Sequence, residues 1–148
     1  MKKFFVVFIN FVILLASLTT YASTTITING VNAEIPPDMG SVKIEENRTF
    51  VPVRFLLEHL DYDVSWDGED MVVFGKNTFD GIFVMQVGNN ILTYSDDSEN
   101  LKTTQMDVSP FLDSAEGRTY IPLRFLAEAI GYNVDYNEAT QTVILNKK

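Results

Sequence analysis

Two glutamates and two arginines recur at a fixed interval and are the first candidates for chemistry. Arg54 and Glu58 stand four residues apart, and Arg124 and Glu128 repeat the arrangement 70 residues later. Two carboxylates could serve as general acid and base in hydrolysis of a glycosidic bond. That reaction needs unlike environments for its two members, one raised in pKa and one ionised, whereas duplicated sites supply like environments. The residues are therefore read as structural, each arginine pairing with its glutamate or with strand carbonyls. Arg48 and Arg118 sit at the turn before a strand in both copies and read as turn-stabilising.

Metal chemistry has little to work with. His59 is the single histidine and there is no cysteine, so an ordinary zinc or copper site cannot be assembled. The same scarcity leaves no Ser-His-Asp arrangement, since nothing near His59 resembles a nucleophile motif. Asp61, Asp63, Ser65 and Asp67 alternate like the start of a calcium loop, but Trp66 stands where the loop needs glycine and Val72 where it needs glutamate. Asp96, Asp97 and Glu99 form a better candidate cation loop, with a solvated linker as the plainer reading. No catalytic residue, metal or cofactor is expected.

Aromatic rings could stack on sugars. Trp66 matches Tyr136, and Tyr62 matches Tyr132, and aromatics held in both copies read as core. Phe79, Phe83 and Tyr94 have no clear counterpart and are the candidates for an exposed partner surface.

What must position these residues is a stretch the chain contains twice. Asn47–Asp67 and Gly117–Asn137 align at an offset of 70 with nine of 21 positions identical, a density that marks an internal duplication. Each copy reads as strand, helix, strand. Thr49–Val51 and Thr119–Ile121 are β-branched and aromatic. Pro52 and Pro122 follow, suited to a first helical position. Phe55, Leu56 and Leu60, and then Phe125, Leu126 and Ile130, fall on one face of a short helix. Gly131 and Asp61 take the left-handed position that ends it. Alternating strands at 64–66 and 134–136 lead into hairpins returning at 71–74 and 142–145.

Elsewhere, 24–29 reads as a strand with an Asn29-Gly30 hairpin, and 42–44 as a strand turning at Glu46-Asn47. The segment 82–87 turns at 88–90 and returns through 91–94, and 95–104 reads as a polar linker. The expected fold is α+β: two tandem repeats, about 24–75 and 79–146, each a small antiparallel β-sheet wrapped on one short helix. Each repeat has one short helix and roughly 60 residues, so the two share a core.

Arg48, Thr49, Pro52, Arg54, Phe55, Glu58, Tyr62 and Val64, and their counterparts Arg118, Thr119, Pro122, Arg124, Phe125, Glu128, Tyr132 and Val134, give the chain a motif that resembles the copper amine oxidase-like N-terminal domain, or stalk domain. The resemblance spans residues 23–148 as two repeats. It implies an exported protein of Gram-positive type. It brings no catalytic residues, because in amine oxidases the copper and quinone belong to a separate domain.

The N-terminus fits export. Lys2 and Lys3 precede an apolar run of about 15 residues, short of the roughly 20 that span a bilayer, and Thr20-Tyr21-Ala22 suits cleavage before Ser23. Residues 1–22 are thus expected to be a signal peptide, leaving no stable membrane insertion after removal. The compartment would permit disulfides, but there is no cysteine to form them. Loss of Lys2 and Lys3 takes the formal charge from −9 to −11, which argues against nucleic acid and anionic polymers as partners. The expected role is a non-catalytic secreted or cell-envelope binding or spacer domain, with an extracellular protein or cell-wall glycan as partner. A calcium-dependent module and a small carboxylate-based wall hydrolase are the alternatives. No sorting motif follows Lys147-Lys148, which points to release or to attachment through a partner, and edge strands could pair two copies into a homodimer.

Overall fold

The computed structural model describes residues 23–79, 81–95 and 100–148; the expected signal peptide at 1–22 and the acidic residues Asp96, Asp97 and Glu99 lie outside them. The chain opens with β1 (Thr25–Ile28), β2 (Val31–Ala33) and a 3-10 turn at Pro37–Met39. The first copy of the duplicated stretch follows as β3 (Lys43–Glu45), β4 (Arg48–Pro52), α1 (Val53–His59), β5 (Tyr62–Asp67) and β6 (Val72–Asn77). Next come β7 (Ile82–Gln86), β8 (Ile91–Ser95) and β9 (Lys102–Gln105). The second copy is β10 (Phe111–Asp113), β11 (Arg118–Pro122), α2 (Leu123–Ala129), β12 (Tyr132–Asn137) and β13 (Thr142–Lys147). Mostly β-sheet with two helices, the fold is α+β.

Local chemistry accounts for most boundaries. Asn29 and Gly30 have φ of 50° and 81°, the paired positive values of the hairpin turn that matches strand twist. Glu46 and Asn47, at 47° and 61°, make the same turn between β3 and β4. Asp61 and Gly131 follow the helix C-caps at φ 62° and 91°, and their N–H groups bond the Glu58 and Glu128 carbonyls at 3.2 Å. The prolines sit one residue earlier than expected. Pro52 and Pro122 are N-caps with ψ of 122° and 114°, still extended because they close the ladders of β4 and β11. The polar stretch 95–104 is not all linker either: β9 pairs with β8, Tyr94 opposite Lys102.

The strands form three sheets, ordered β12-β13-β1-β2, β10-β11-β4-β3 and β5-β6-β7-β8-β9. In the middle one, β4 and β11 run antiparallel with Val51 opposite Ile121, Phe50 opposite Pro122 and Pro52 opposite Tyr120. Residues equivalent under the 70-residue offset thus face each other crosswise, a local two-fold axis. The expected antiparallel sheet of its own for each repeat is not what the strands build: every sheet contains strands from both halves. β1 of the first half lies parallel on β13 of the second, Ile26 opposite Val143. β7 lies antiparallel on β6, as the short link between them requires. The symmetry breaks there, four strands in one outer sheet and five in the other.

Each helix packs one face on the middle sheet and on the strand that follows it, α1 on β5 and α2 on β12. Val53, Phe55, Leu56 and Leu57 of α1 and Leu123, Leu126 and Ala127 of α2 are buried. Of the residues assigned to the helix faces, Leu60 is buried, while Phe125 and Ile130 are partly buried against the same cluster. Each helix packs on the central strand of the other half, α1 on β11 and α2 on β4. The core is one cluster running through both halves, from Ile26 to Leu145.

Candidate functional site

The two arginines at the turns before β4 and β11 do more than hold their turns. Arg48 Nη1 donates to the Asn47 carbonyl at 3.4 Å, and Arg118 Nη1 to the Gly117 carbonyl at 3.2 Å. Each then crosses to the other half. Arg48 Nε donates to Asp107 Oδ2 at 2.9 Å, and Nη2 reaches the same oxygen. Arg118 Nη2 donates to the Asp38 carbonyl. Hydrogen bonding to Arg48 holds the Asp107 carboxyl below its ordinary value of 3.8. Sequence placed both arginines at turns; their reach of 59 and 80 residues is set by the β4–β11 pairing and has no local signal.

A second tie between the halves was missed altogether. Lys43 of β3 pairs with Asp113 and, at 3.1 Å, with Glu116 Oε1. Its ammonium lies 4.5 Å from the centre of the Tyr120 ring. The Tyr120 hydroxyl donates to Glu116 Oε2 and accepts from the Ser41 N–H at 3.3 Å. Phe111 stacks on Tyr120 at 5.3 Å and meets Phe50 edge-on at 5.1 Å. The groups shift one another. Hydrogen bonding to Asp113 raises Lys43, and the same bond lowers Asp113. Glu116 is lowered first by Tyr120 and then by Lys43. Burial, and after it Glu116, raises Tyr120. Gly40 has φ 99°, and a Cβ there would stand 2.6 Å from the Tyr120 hydroxyl, so the backbone passes where no other residue fits.

A groove of about 710 Å³ opens where the halves meet. Arg48, Thr49 and Asp107 line it, together with Arg124 and Phe125 of α2 and Asp135 and Tyr136 of β12. Tyr136 is 45% exposed, and its hydroxyl donates to Gln141 Oε1 at 2.7 Å. Gln141 Nε2 in turn donates to the Glu138 carbonyl at 2.9 Å, so the ring is held as a fixed platform. Arg124 is exposed and makes no hydrogen bond or ion pair among the described residues.

The duplicated aromatics divide into two kinds. Tyr62 and Tyr132 are core, 7% and 9% exposed, as expected. Trp66 and Tyr136 are not core: they are 40% and 45% exposed. β5 and β12 share the same burial pattern, buried at the first residue, intermediate at the third and exposed at the fifth. The inward face outruns the helix that covers it, and its last aromatic emerges.

Phe83 is fully buried and belongs to the core, not to a partner surface. Tyr94 packs half-buried against the same cluster. Phe79 is 80% exposed at the β6–β7 link. Arg54, Glu58, Arg124 and Glu128 are all exposed, and no ion pair joins them among the described residues. The expected ion pairs do not form. Thr49 and Thr119 are half-buried in their strands, and Pro52 and Pro122 are buried caps. His59 Nδ1 lies 2.9 Å from the Phe55 carbonyl, with its ring against Phe55. Asp67 Oδ1 accepts from the N–H groups of Glu69 and Asp70 at 2.9 and 3.3 Å, a turn role in place of a cation. Among the described residues, no three His, Cys, Asp or Glu side chains are placed to hold a metal ion.

No curated protein and no solved structure matches the chain. The family model of the copper amine oxidase N-terminal domain, a non-catalytic domain, matches residues 27–145. That range runs from within β1 to within β13 and takes in both ties between the halves. The chain belongs to the copper amine oxidase N-terminal domain family.

Proposed function

We propose that the protein is an exported, non-catalytic binding module of the cell envelope, with the groove between its halves as the partner-facing surface and a protein or cell-wall glycan as partner. The observation that carries this reading is the pairing of an exposed, locked Tyr136 ring with an unpartnered Arg124 in a groove walled by both halves. Binding sites are concave and carry a few fixed polar groups among apolar ones. The glutamates of the two helices stand in solvent, which favours binding over hydrolysis. The N-terminal segment, with its basic start and short apolar run, supports an exported or wall-associated location.

The test is co-sedimentation of the purified protein with cell-wall sacculi, together with an assay for released reducing sugar. The expected outcome is sedimentation without release. Turnover of wall substrate that disappears in Glu58→Gln or Glu128→Gln would overturn the reading.

A further inference from the structure

We infer that the groove holding Tyr136 is a subsite for a neutral, polyhydroxylated chain, that is, a saccharide. The inference rests on the reading of the protein as an envelope binding module and names the chemistry of its partner. Tyr136 presents an apolar ring face in fixed orientation, because its hydroxyl is committed to Gln141 at 2.7 Å. A pyranose offers an apolar face of its own, with hydroxyls around its edge. The groove lining also includes groups that serve those hydroxyls: Arg124 as a donor and the Glu138 carboxylate as an acceptor. Neither side chain has a hydrogen-bond partner among the described residues, so both are free to bond a ligand.

Charge selects against ionic ligands. Arg48, the other cation of the groove, is already neutralised by Asp107. Arg124 then shares the groove lining with Glu138, within a chain of formal net charge −9. A polyanion would be repelled by the whole molecule. A single cation finds no cluster of three acidic or histidine ligands among the described residues. A neutral polyol uses donor and acceptor together. The duplication supplies an internal comparison: the position equivalent to Tyr136 is Trp66, 40% exposed, so this strand end accepts either of the two flat rings.

The experiment is a calorimetric titration of the purified protein with neutral β-1,4-linked N-acetylglucosamine oligosaccharides. Tyr136→Ala, Tyr136→Trp, Arg124→Ala and Phe79→Ala are compared with wild type, and thermal unfolding checks that each is folded. Saturable binding is expected, weakened about tenfold or more by Tyr136→Ala. Tyr136→Trp should keep it, Arg124→Ala should weaken it, and Phe79→Ala, outside the groove, should leave it unchanged. Affinity should change less than about threefold between low salt and roughly 0.5 M salt, since no ion pair carries it. Binding equal to wild type in folded Tyr136→Ala, or affinity for wall peptides released by amidase in place of the oligosaccharides, overturns the assignment. Sedimentation with intact sacculi but no binding to the neutral oligosaccharides overturns the saccharide subsite and leaves the module reading standing; failure of both removes both.

Discussion

Lys43, Asp113, Glu116 and Tyr120, with Asp107 beside Arg48, contribute to the pH dependence of the fold. Asp107, Asp113 and Glu116 lie below their ordinary values of 3.8, 3.8 and 4.5. The unfolded chain therefore binds protons first as pH falls, so the stability these carboxylates give is complete above about pH 5 and is lost on descent through their folded values. Lys43 and Tyr120 are raised from 10.5 and 10.0. Their contribution is complete below about pH 10 and is lost as pH rises through the folded values. Urea midpoints should fall on both sides, and Lys43→Met should flatten the acid limb; an unchanged acid limb would show that Lys43 does not hold these groups. Gly40→Ala tests the same site sterically. With φ 99° and the Tyr120 hydroxyl 2.6 Å from the new Cβ, it should cost about 2 kcal/mol or more in denaturant unfolding. Little of this was legible in the sequence. Lys43 and Asp113 are 70 residues apart, and only strand pairing brings them together. Trp66 and Tyr136 were misplaced for the opposite reason: duplication suggests burial, but a repeated position can be repeated at an exposed strand end.

The elements were far more legible, because their signals are local. Asn29-Gly30 makes its turn, the duplicated prolines stand at the strand-to-helix step, and Asp61 and Gly131 end their helices with positive φ. Asp61 occupies a conformation that glycine holds without strain in the other copy, so Asp61→Gly should stabilise the protein by about 0.5–1 kcal/mol, read as a higher unfolding midpoint. Leu56 and Leu126 are fully buried at equivalent places, and either change to Ala should cost about 2–5 kcal/mol. β9 escaped notice because Lys102, Thr103, Thr104 and Gln105 carry no apolar alternation. It is an edge strand, exposed over most of its length, and needs none.

At the scale of the molecule, duplication was visible and the exchange of strands was not. A repeat read from sequence suggests two units side by side, yet β1 pairs with β13, β6 with β7 and β4 with β11. The β1–β13 and β4–β11 contacts are non-local, whereas β6 and β7 are neighbours in sequence. Neither half keeps a complete sheet or a covered helix by itself, so residues 24–75 expressed alone should show no cooperative thermal transition, whereas the intact chain should show one. This interlocking also builds the groove, since Arg48 comes from one half and Arg124 and Tyr136 from the other. The measurement that bears most directly on a non-catalytic envelope module working through that groove is sacculus co-sedimentation of wild type against Tyr136→Ala. Wild type should sediment and the folded variant should stay in solution. Equal sedimentation of the two, or of neither, would contradict a module working through that groove.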